Sequence, residues 1–141
     1  VEDDSTLVAQ LHRIADRFGE RTGLRVILSE QGQARTVSED ISVALRFIVQ
    51  EALTNAFKHG NAHQMIVTLN WQDAALSLDM EDDGTPQPAQ IAHGEGHGLQ
   101  GMRERMEALG GTLSAGPRAG QMGFSVCVGV PYEPAREKQA V

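Results

Sequence analysis

Residues 50–59 read Gln50-Glu51-Ala52-Leu53-Thr54-Asn55-Ala56-Phe57-Lys58-His59 and form the second half of a predicted helix that begins after Ser38 and runs to Gly60. On a helical projection, four polar residues of this stretch lie on or beside the apolar face: Glu51, Asn55, Lys58 and His59. Burying such groups costs several kcal/mol unless each is paired. The pattern therefore predicts a helix end that faces a cavity or a ligand, although a structural hydrogen-bond network would produce the same pattern.

The patterns on either side of this helix predict the remaining elements. Helical spacing of apolar residues predicts a helix over residues 5–21, with Ser5 as its N-cap, and another over residues 99–109, closed by Gly110-Gly111. Apolar runs predict strands at residues 24–28, 65–71, 76–80, 112–115 and 124–130, and residues 84–97 form a long loop. The order predicts an α/β two-layer sandwich, in which a mixed, largely antiparallel sheet carries three helices on one face.

The composition fits a single domain. The chain has 141 residues, of which 40% are hydrophobic and 22% charged. We expect the domain to span residues 6–131, between the end of an upstream linker at 1–5 and a polar tail at 132–141. A formal net charge of −7, without a stripe dense in lysine or arginine, argues against nucleic acid as the main partner.

The chain termini and the cysteine content bear on the compartment. The first four residues, Val1-Glu2-Asp3-Asp4, are acidic where a signal peptide would be basic, and Cys127 is the single cysteine. Both features favour a cytoplasmic location, with a single cysteine that forms no disulfide within the chain.

Glycine is concentrated in the second half of the chain, where 11 of the 15 glycines follow residue 83. The run from Gly94 to Met102, GEGHGLQGM, leads directly into a predicted helix. Consecutive N–H groups at a helix N-terminus form an anion site that glycines allow a phosphate to reach. The run lacks the strand context of a dinucleotide fingerprint and the Lys-Ser/Thr end of a P-loop. A flexible loop with a helix cap remains the alternative.

A second candidate site segment is Asp82-Asp83-Gly84, which ends a predicted strand. An aspartate at a strand end can accept a hydrogen bond from an exocyclic amine, and a glycine lets a flat ring approach the backbone. An ordinary Asp-Gly turn is the alternative. The histidine clusters, His59 with His63 and His93 with His97, are disfavoured as zinc sites because glycines interrupt or flank their scaffolds.

Together, residues 50–59, Asp82-Asp83-Gly84 and the segment from Gly96 to Arg105 resemble the ATP-binding domain of bacterial sensor histidine kinases. The match resembles most closely the branch that senses nitrate, nitrite and hexose phosphates, and it covers about residues 6–131. The resemblance implies a Bergerat-type ATP-binding fold, with ATP between the long helix and a lid.

The resemblance also implies roles for individual residues. Asn55 would coordinate Mg²⁺, and Glu51, one turn earlier, would order a metal-bound water or polarise the site. Asp82 would accept a hydrogen bond from the adenine amine, and Gly84 would lie beneath the adenine ring. The remaining ATP-binding positions that it implies are Lys58, His59, Gly96, His97, Gly98, Leu99, Gly101 and Ser125.

The implied activity is transfer of the γ-phosphate of ATP to a histidine on a dimerisation domain outside this chain, for relay to a response regulator. His12 is followed by Arg13 and not by an acidic residue, so it does not match the acceptor motif. We therefore expect this chain to be a monomer that binds nucleotide but autophosphorylates little, and its parent to be a homodimer.

The resemblance leaves one departure and three alternatives. Thr85-Pro86 stands where the family often has a second glycine, two residues after Gly84. The alternatives are a serine kinase that acts on an anti-sigma antagonist, an ATPase of the chaperone or mismatch-repair type in which Glu51 activates water, and a non-catalytic nucleotide-binding module.

Overall fold

The computed structural model describes residues 6–85, 97–120 and 122–132. These ranges contain three helices and five strands in the predicted order. The elements are α1 (Leu7–Thr22), β1 (Arg25–Gln31), α2 (Glu39–Lys58), β2 (Gln64–Trp71), β3 (Ala75–Asp82), α3 (His97–Ala108), β4 (Thr112–Pro117) and β5 (Phe124–Pro131). The upstream linker at 1–5, most of the tail and most of the glycine loop lie outside the described residues.

The five strands form one sheet in the order β1-β2-β3-β5-β4. β1 and β2 are parallel because α2 connects them, and the other three pairs are antiparallel. The mixed, largely antiparallel sheet predicted from the sequence is therefore confirmed. In the registers that matter for the site, Met65 pairs with Asp82 and Glu81 pairs with Ser125.

Side-chain caps define where the first two helices begin. The Thr6 hydroxyl accepts a hydrogen bond from the Ala9 N–H at 3.2 Å, so α1 is capped by Thr6, one residue after the predicted Ser5. The Ser38 hydroxyl accepts from the Ile41 N–H at 3.2 Å, as the sequence predicted for α2. At the other end of α2, His59 is the C-cap, so the helix ends two residues before Gly60.

The core lies between the helices and one face of the sheet. Alternate residues of β2, β3 and β5 are buried on this face, and Met102 and Met106 of α3 are fully buried against it. Each buried side chain of this size contributes about 1.5–3 kcal/mol of hydrophobic stabilisation. The opposite face carries mostly polar residues, including Thr68, Asn70 and Asp79. The two-layer arrangement is thus confirmed.

The packing of α2 between its neighbours orients the helix layer. On one side, the Phe57 ring meets the Phe18 ring of α1 edge to face, with centroids 6.1 Å apart. On the other side, Arg105 of α3 lies over the Phe47 ring, 4.0 Å from its centroid. In the described ranges, no helix is both long enough and apolar enough to cross a bilayer.

Candidate functional site

The most buried acidic side chain of the described residues is Asp82, at the end of β3, which is 4% exposed. Its Oδ1 accepts hydrogen bonds from the Gly84 N–H at 2.8 Å and from the Phe124 N–H at 3.2 Å. Burial raises the pKa of this carboxyl, and the two N–H donors oppose that shift. Among the described residues, none donates a hydrogen bond to Oδ2, so this oxygen is available to a ligand.

The neighbouring carboxylate, Asp83, has a structural role. Its Oδ1 accepts from the N–H groups of His63 and Gln64, at 2.8 and 3.0 Å, and so joins the end of β3 to the start of β2. Desolvation acts to raise the pKa of Asp83, but these backbone hydrogen bonds outweigh it and lower the pKa. The two aspartates differ in burial: Asp82 is buried beside the start of β5, whereas Asp83 is exposed at the edge that joins β3 to β2.

Gly84 joins the end of β3 to the end of α2. A Cβ at position 84 would overlap the Gly60 carbonyl group and would lie 3.1 Å from the Cβ of Ala62, so only glycine fits this approach. The Thr85 N–H donates to the backbone carbonyl oxygen of Gly60 at 2.8 Å, and the Gly60 N–H donates to the backbone carbonyl oxygen of Asn55 at 3.1 Å. A short chain of backbone contacts thus connects the Asp82 region to the polar end of α2.

The polar residues of α2 differ in exposure. Glu51 and Asn55 are half-buried, whereas Lys58 and His59 are exposed at the helix end. In the part of the chain that the structure describes, the Glu51 carboxylate and the Asn55 side-chain amide have no hydrogen-bonding partner. Within the described residues, the polar side chains of α2 at Glu51 and Asn55 therefore form no structural hydrogen-bond network.

The first turn of α3 lies against these two side chains. A Cβ at Gly98 would come 2.8 Å from Glu51 Oε1 and 3.6 Å from Asn55 Nδ2. Because the first N–H groups of a helix lack intrahelical acceptors, this contact places an N-terminal helix turn next to the Glu51 and Asn55 side chains. His97 is the first residue of α3, and Gly96 lies outside the described residues.

Two other predicted residues of α3 pack more conventionally. A Cβ at Gly101 would lie 3.7 Å from the Phe47 ring, an ordinary contact distance. Leu99 is partly buried and packs against the core. Gly101 thus lies against α2 and Leu99 lies against the core, and both are within about one helical turn of Gly98.

Ser125 is the predicted residue that the fold separates from the others. The alternation of β5 buries Phe124 and Val126 in the core and places Ser125 on the opposite face of the sheet. Its Oγ lies 3.6 Å from the Cys127 sulfur, and the residue pairs with Glu81. The side chain of Ser125 thus lies on the other side of the sheet from the core, and β5 contacts Asp82 through the backbone N–H of Phe124. The alternation of residues along β5 already indicates that Ser125 faces away from Phe124 and Val126.

Other contributors to the site have weaker sequence signals. Arg118 donates to the Asp82 carbonyl oxygen at 3.0 Å, and Gly123 lies against the same carbonyl group. Gly123 lies in the segment from Gly120 to Ser125, which resembles the closing turn and strand of the family, whereas Arg118 belongs to no motif. A backbone N–H such as that of Phe124 is present at almost every position, so no residue type marks it.

The donor set can be tested against a divalent cation. In the described ranges, no group of three or more His, Cys, Asp or Glu side chains is placed to hold a metal. A cation here would take the Asn55 amide oxygen as a direct ligand and would meet the nearby Glu51 carboxylate through a bound water, with its other ligands from water and phosphate. That is how Mg²⁺ is commonly bound beside nucleotide phosphates, so these residues fit Mg²⁺ in the company of a phosphate ligand.

Comparison with known families assigns the chain. The family model described as histidine kinase-, DNA gyrase B-, and HSP90-like ATPase matches residues 40–134. This chain belongs to that family. The matched span runs from α2 through β5 and includes every site residue described above, whereas α1 and β1 precede it.

The relatives of this histidine kinase-like ATPase domain are longer proteins. The signal transduction histidine-protein kinase/phosphatase UhpB of Salmonella typhimurium is 38% identical over 113 residues, which is 79% of this chain and 22% of UhpB. DegS of Brevibacillus brevis, with the same description, is 32% identical over 111 residues, or 79% of this chain and 29% of DegS. The chain thus spans about a quarter of the length of these curated relatives.

Solved structures confirm the fold of this histidine kinase-like ATPase domain. The ATP-binding domain of PrrB from Mycobacterium tuberculosis superimposes with a TM-score of 0.70 at 21% identity, covering 93% of this chain and 99% of that domain. The three helices and five-stranded mixed sheet are those of the histidine kinase ATP-binding fold.

Proposed function

We propose that this domain binds Mg·ATP between α2, the end of β3 and the first turn of α3, and donates the γ-phosphate to a histidine of a dimerisation domain in two-component signal transduction. One observation carries the proposal: Gly98 lies against Glu51 and Asn55, and the same end of α2 is joined through Gly60 to the strand end that holds Asp82. These contacts support a site in which the group proposed to bind the base and the group proposed to bind the phosphates lie at one edge of the domain.

At the base end, Asp82 supplies the recognition. Its Oδ1 is occupied by two backbone donors, so Oδ2 is left to accept from the exocyclic amine of adenine. Guanine carries an oxygen in place of that amine and would be repelled by the carboxylate. The glycine at position 84 lets the flat ring lie close to the backbone.

At the phosphate end, α2 and α3 provide complementary groups. The Asn55 amide oxygen would coordinate Mg²⁺, and Glu51 would hold a water in its coordination shell. The bound cation neutralises phosphate charge. The N–H group of Gly98, in the first turn of α3, would donate to the phosphates. Gly96, His97, Leu99 and Gly101 would surround the phosphates with it. Lys58 and His59 lie exposed at the end of α2, where they would add positive charge or hydrogen bonds.

Phosphoryl transfer depends mostly on positioning and on charge neutralisation, and these residues supply both. The acceptor histidine would come from a dimerisation domain of the parent protein, which would be a cytoplasmic homodimer in this region, with a response regulator as the next recipient. The names of UhpB and DegS, both histidine-protein kinases, support this assignment, as does the fold shared with the PrrB ATP-binding domain.

The nucleotide assignment is tested by titrating the chain with ATP in the presence and absence of Mg²⁺, using calorimetry. We expect Asn55→Ala to remove the Mg²⁺-dependent part of the affinity. Asn70→Ala is the matched control, because Asn70 is a half-buried asparagine on the opposite face of the sheet. Unchanged Mg²⁺ dependence in Asn55→Ala would show that the metal assignment is wrong.

The phosphotransfer assignment needs a separate experiment with labelled ATP. The chain alone should acquire no stable acid-labile label, and adding the dimerisation domain of its parent should produce one on that domain. Stable label on the isolated chain would contradict an external acceptor. Steady release of inorganic phosphate would instead favour the ATPase alternative, in which Glu51 activates water.

A further inference from the structure

Arg118 is the first residue after β4, and it connects three parts of the chain at the site. Its N–H donates to the Gly123 oxygen at 2.9 Å and so closes the turn between β4 and β5. Its Nη1 donates to the carbonyl oxygen of Asp82 at 3.0 Å, and its Nη2 lies 3.7 Å from Glu81 Oε1. The side chain is 21% exposed, so it is held along the protein surface.

Gly123 allows this arrangement by bringing two backbones together. Its φ is +118°, and a Cβ there would overlap the Asp82 carbonyl group and lie 2.7 Å from Arg118 Cδ. The arginine stem therefore lies over Gly123, and the next residue, Phe124, donates its N–H to Asp82 Oδ1. Arg118, Gly123 and Phe124 together hold the main chain and the carboxylate of Asp82.

We propose that Arg118 is a positioning residue for base recognition, holding Asp82 in the orientation in which its carboxylate accepts from adenine. The inference rests on the proposed function. The guanidinium of Arg118 donates to the main-chain oxygen of Asp82. Its backbone N–H holds Gly123, and the next residue, Phe124, donates to Asp82 Oδ1. This leaves Oδ2 as the oxygen that the base would meet.

The charge of Arg118 adds a second effect on the same carboxylate. Burial raises the pKa of Asp82, the N–H groups of Gly84 and Phe124 lower it, the negative charge of Asp83 raises it, and the positive charge of Arg118 lowers it. Glu81 faces the guanidinium from the same strand end. Without the arginine charge, Asp82 would be protonated at higher pH, and a protonated carboxyl is a poorer acceptor for the adenine amine.

The test uses the full chain with Mg·ADP and Mg·GDP, titrated by calorimetry between pH 5 and pH 8. We expect Arg118→Gln to weaken ADP binding by about tenfold at neutral pH, the scale of one charge-assisted hydrogen bond. It should also reduce the preference for ADP over GDP. The acid limb, which is the fall in ADP affinity as the pH is lowered, should move to higher pH. Titration of the nucleotide phosphates is common to all variants.

Two further variants separate positioning from general stability. Arg118→Lys keeps the charge, so its acid limb should stay at the wild-type pH while its affinity falls. Arg46→Gln is the matched control, since Arg46 is a partly exposed arginine whose Nη2 lies 3.4 Å from Glu39 Oε2 on α2. Melting temperatures without nucleotide report any loss of folding, which by itself would change neither the base preference nor the acid limb.

The possible outcomes are distinct. Wild-type base preference and pH profile in Arg118→Gln would overturn the inference while leaving the proposed function intact. An acid limb that moves equally in Arg118→Lys would overturn the charge contribution. A wild-type chain that binds neither nucleotide would overturn the proposed function and this inference together.

Discussion

Gly98, in the first turn of α3, lies directly against the carboxylate of Glu51 in the middle of α2, where a Cβ would come within 2.8 Å of Oε1. The two residues are far apart in sequence and belong to different motifs. Their contact joins the polar stripe of α2 to the glycine-rich segment, and it makes position 98 a sensitive probe of the proposed phosphate end.

Gly98→Ala should weaken Mg·ATP binding without unfolding the domain. The new methyl group would displace the end of a flexible glutamate side chain, which costs little stability, and alanine is the better helix former by about 1 kcal/mol. Calorimetry should show weaker binding while the melting temperature holds or rises. In Gly101→Ala the methyl group meets the Phe47 ring at an ordinary distance, so its melting temperature measures the helix-propensity gain alone. A Gly98→Ala variant with wild-type affinity would contradict the proposed site.

Asp82→Asn should reduce the preference of the domain for adenine over guanine nucleotides and raise its stability relative to the wild type. An asparagine Oδ1 can still accept from Gly84 and Phe124, but its NH₂ group would face the adenine amine donor to donor and would suit the guanine oxygen. We expect at least a tenfold loss of ADP affinity, about 1.4 kcal/mol, with a smaller loss or a gain for GDP. Retained preference for ADP over GDP would contradict the role assigned to Asp82.

The stability of the same variant should depend on pH in a defined direction. Because the pKa of Asp82 is raised in the folded state above the ordinary 3.8, ionisation of this carboxyl lowers stability as pH rises through the folded pKa. The neutral asparagine does not have this effect. Urea unfolding should therefore show Asp82→Asn gaining on the wild type between pH 4 and pH 7, and a gap that narrows with rising pH would contradict the buried, ionisable state.

Asp83 should show the opposite pH dependence. Its pKa is lowered in the folded state, so its contribution to stability is complete above the ordinary 3.8 and is lost as pH falls through the lowered value. Asp83→Ala removes the acceptor for His63 and Gln64 and should cost about 1–2 kcal/mol in urea unfolding at pH 7. Asp83→Asn keeps an acceptor at every pH, so it should lose less stability and flatten the acid dependence.

Gly84→Ala should destabilise the domain by about 2 kcal/mol or more, because its methyl group would overlap the Gly60 backbone, which cannot move away as a side chain can. Gly116→Ala provides the comparison, since a Cβ there meets nothing within 4 Å. Chemical denaturation of both variants measures the difference. Equal stability of the two would mean that the end of β3 is not joined to the α2 turn as described.

The sequence predicted the order and type of every described element, because their apolar periods are strong. The apolar run that predicts β1 stops at Leu28 and the turn signal begins only at Gln31, and the strand continues to Gln31. The last three residues, Ser29, Glu30 and Gln31, are polar, so no hydrophobic pattern marks them, yet their backbones still pair in register with β2 as far as Asn70. Strand length at a sheet edge is set by the partner, which a local pattern does not contain.

The same reasoning divides the candidate site. Side chains whose chemistry is unusual for their position, such as Glu51, Asn55 and Asp82, could be selected from the sequence. The interaction of Arg118 with Asp82 could not, since it depends on how β4 and β5 fold back onto β3. Ser125 was assigned by resemblance, whereas the alternation of β5 places its side chain on the face opposite the core.

β5 follows the other four described strands in the chain, yet it takes an interior place in the sheet, between β3 and β4. Asp82 acquires its Phe124 donor only when that insertion is complete. A chain truncated after β4 would therefore lack one of the two backbone donors to Asp82 Oδ1. The strand that is synthesised after the other four described strands is thus the one that completes the hydrogen bonding of Asp82 Oδ1.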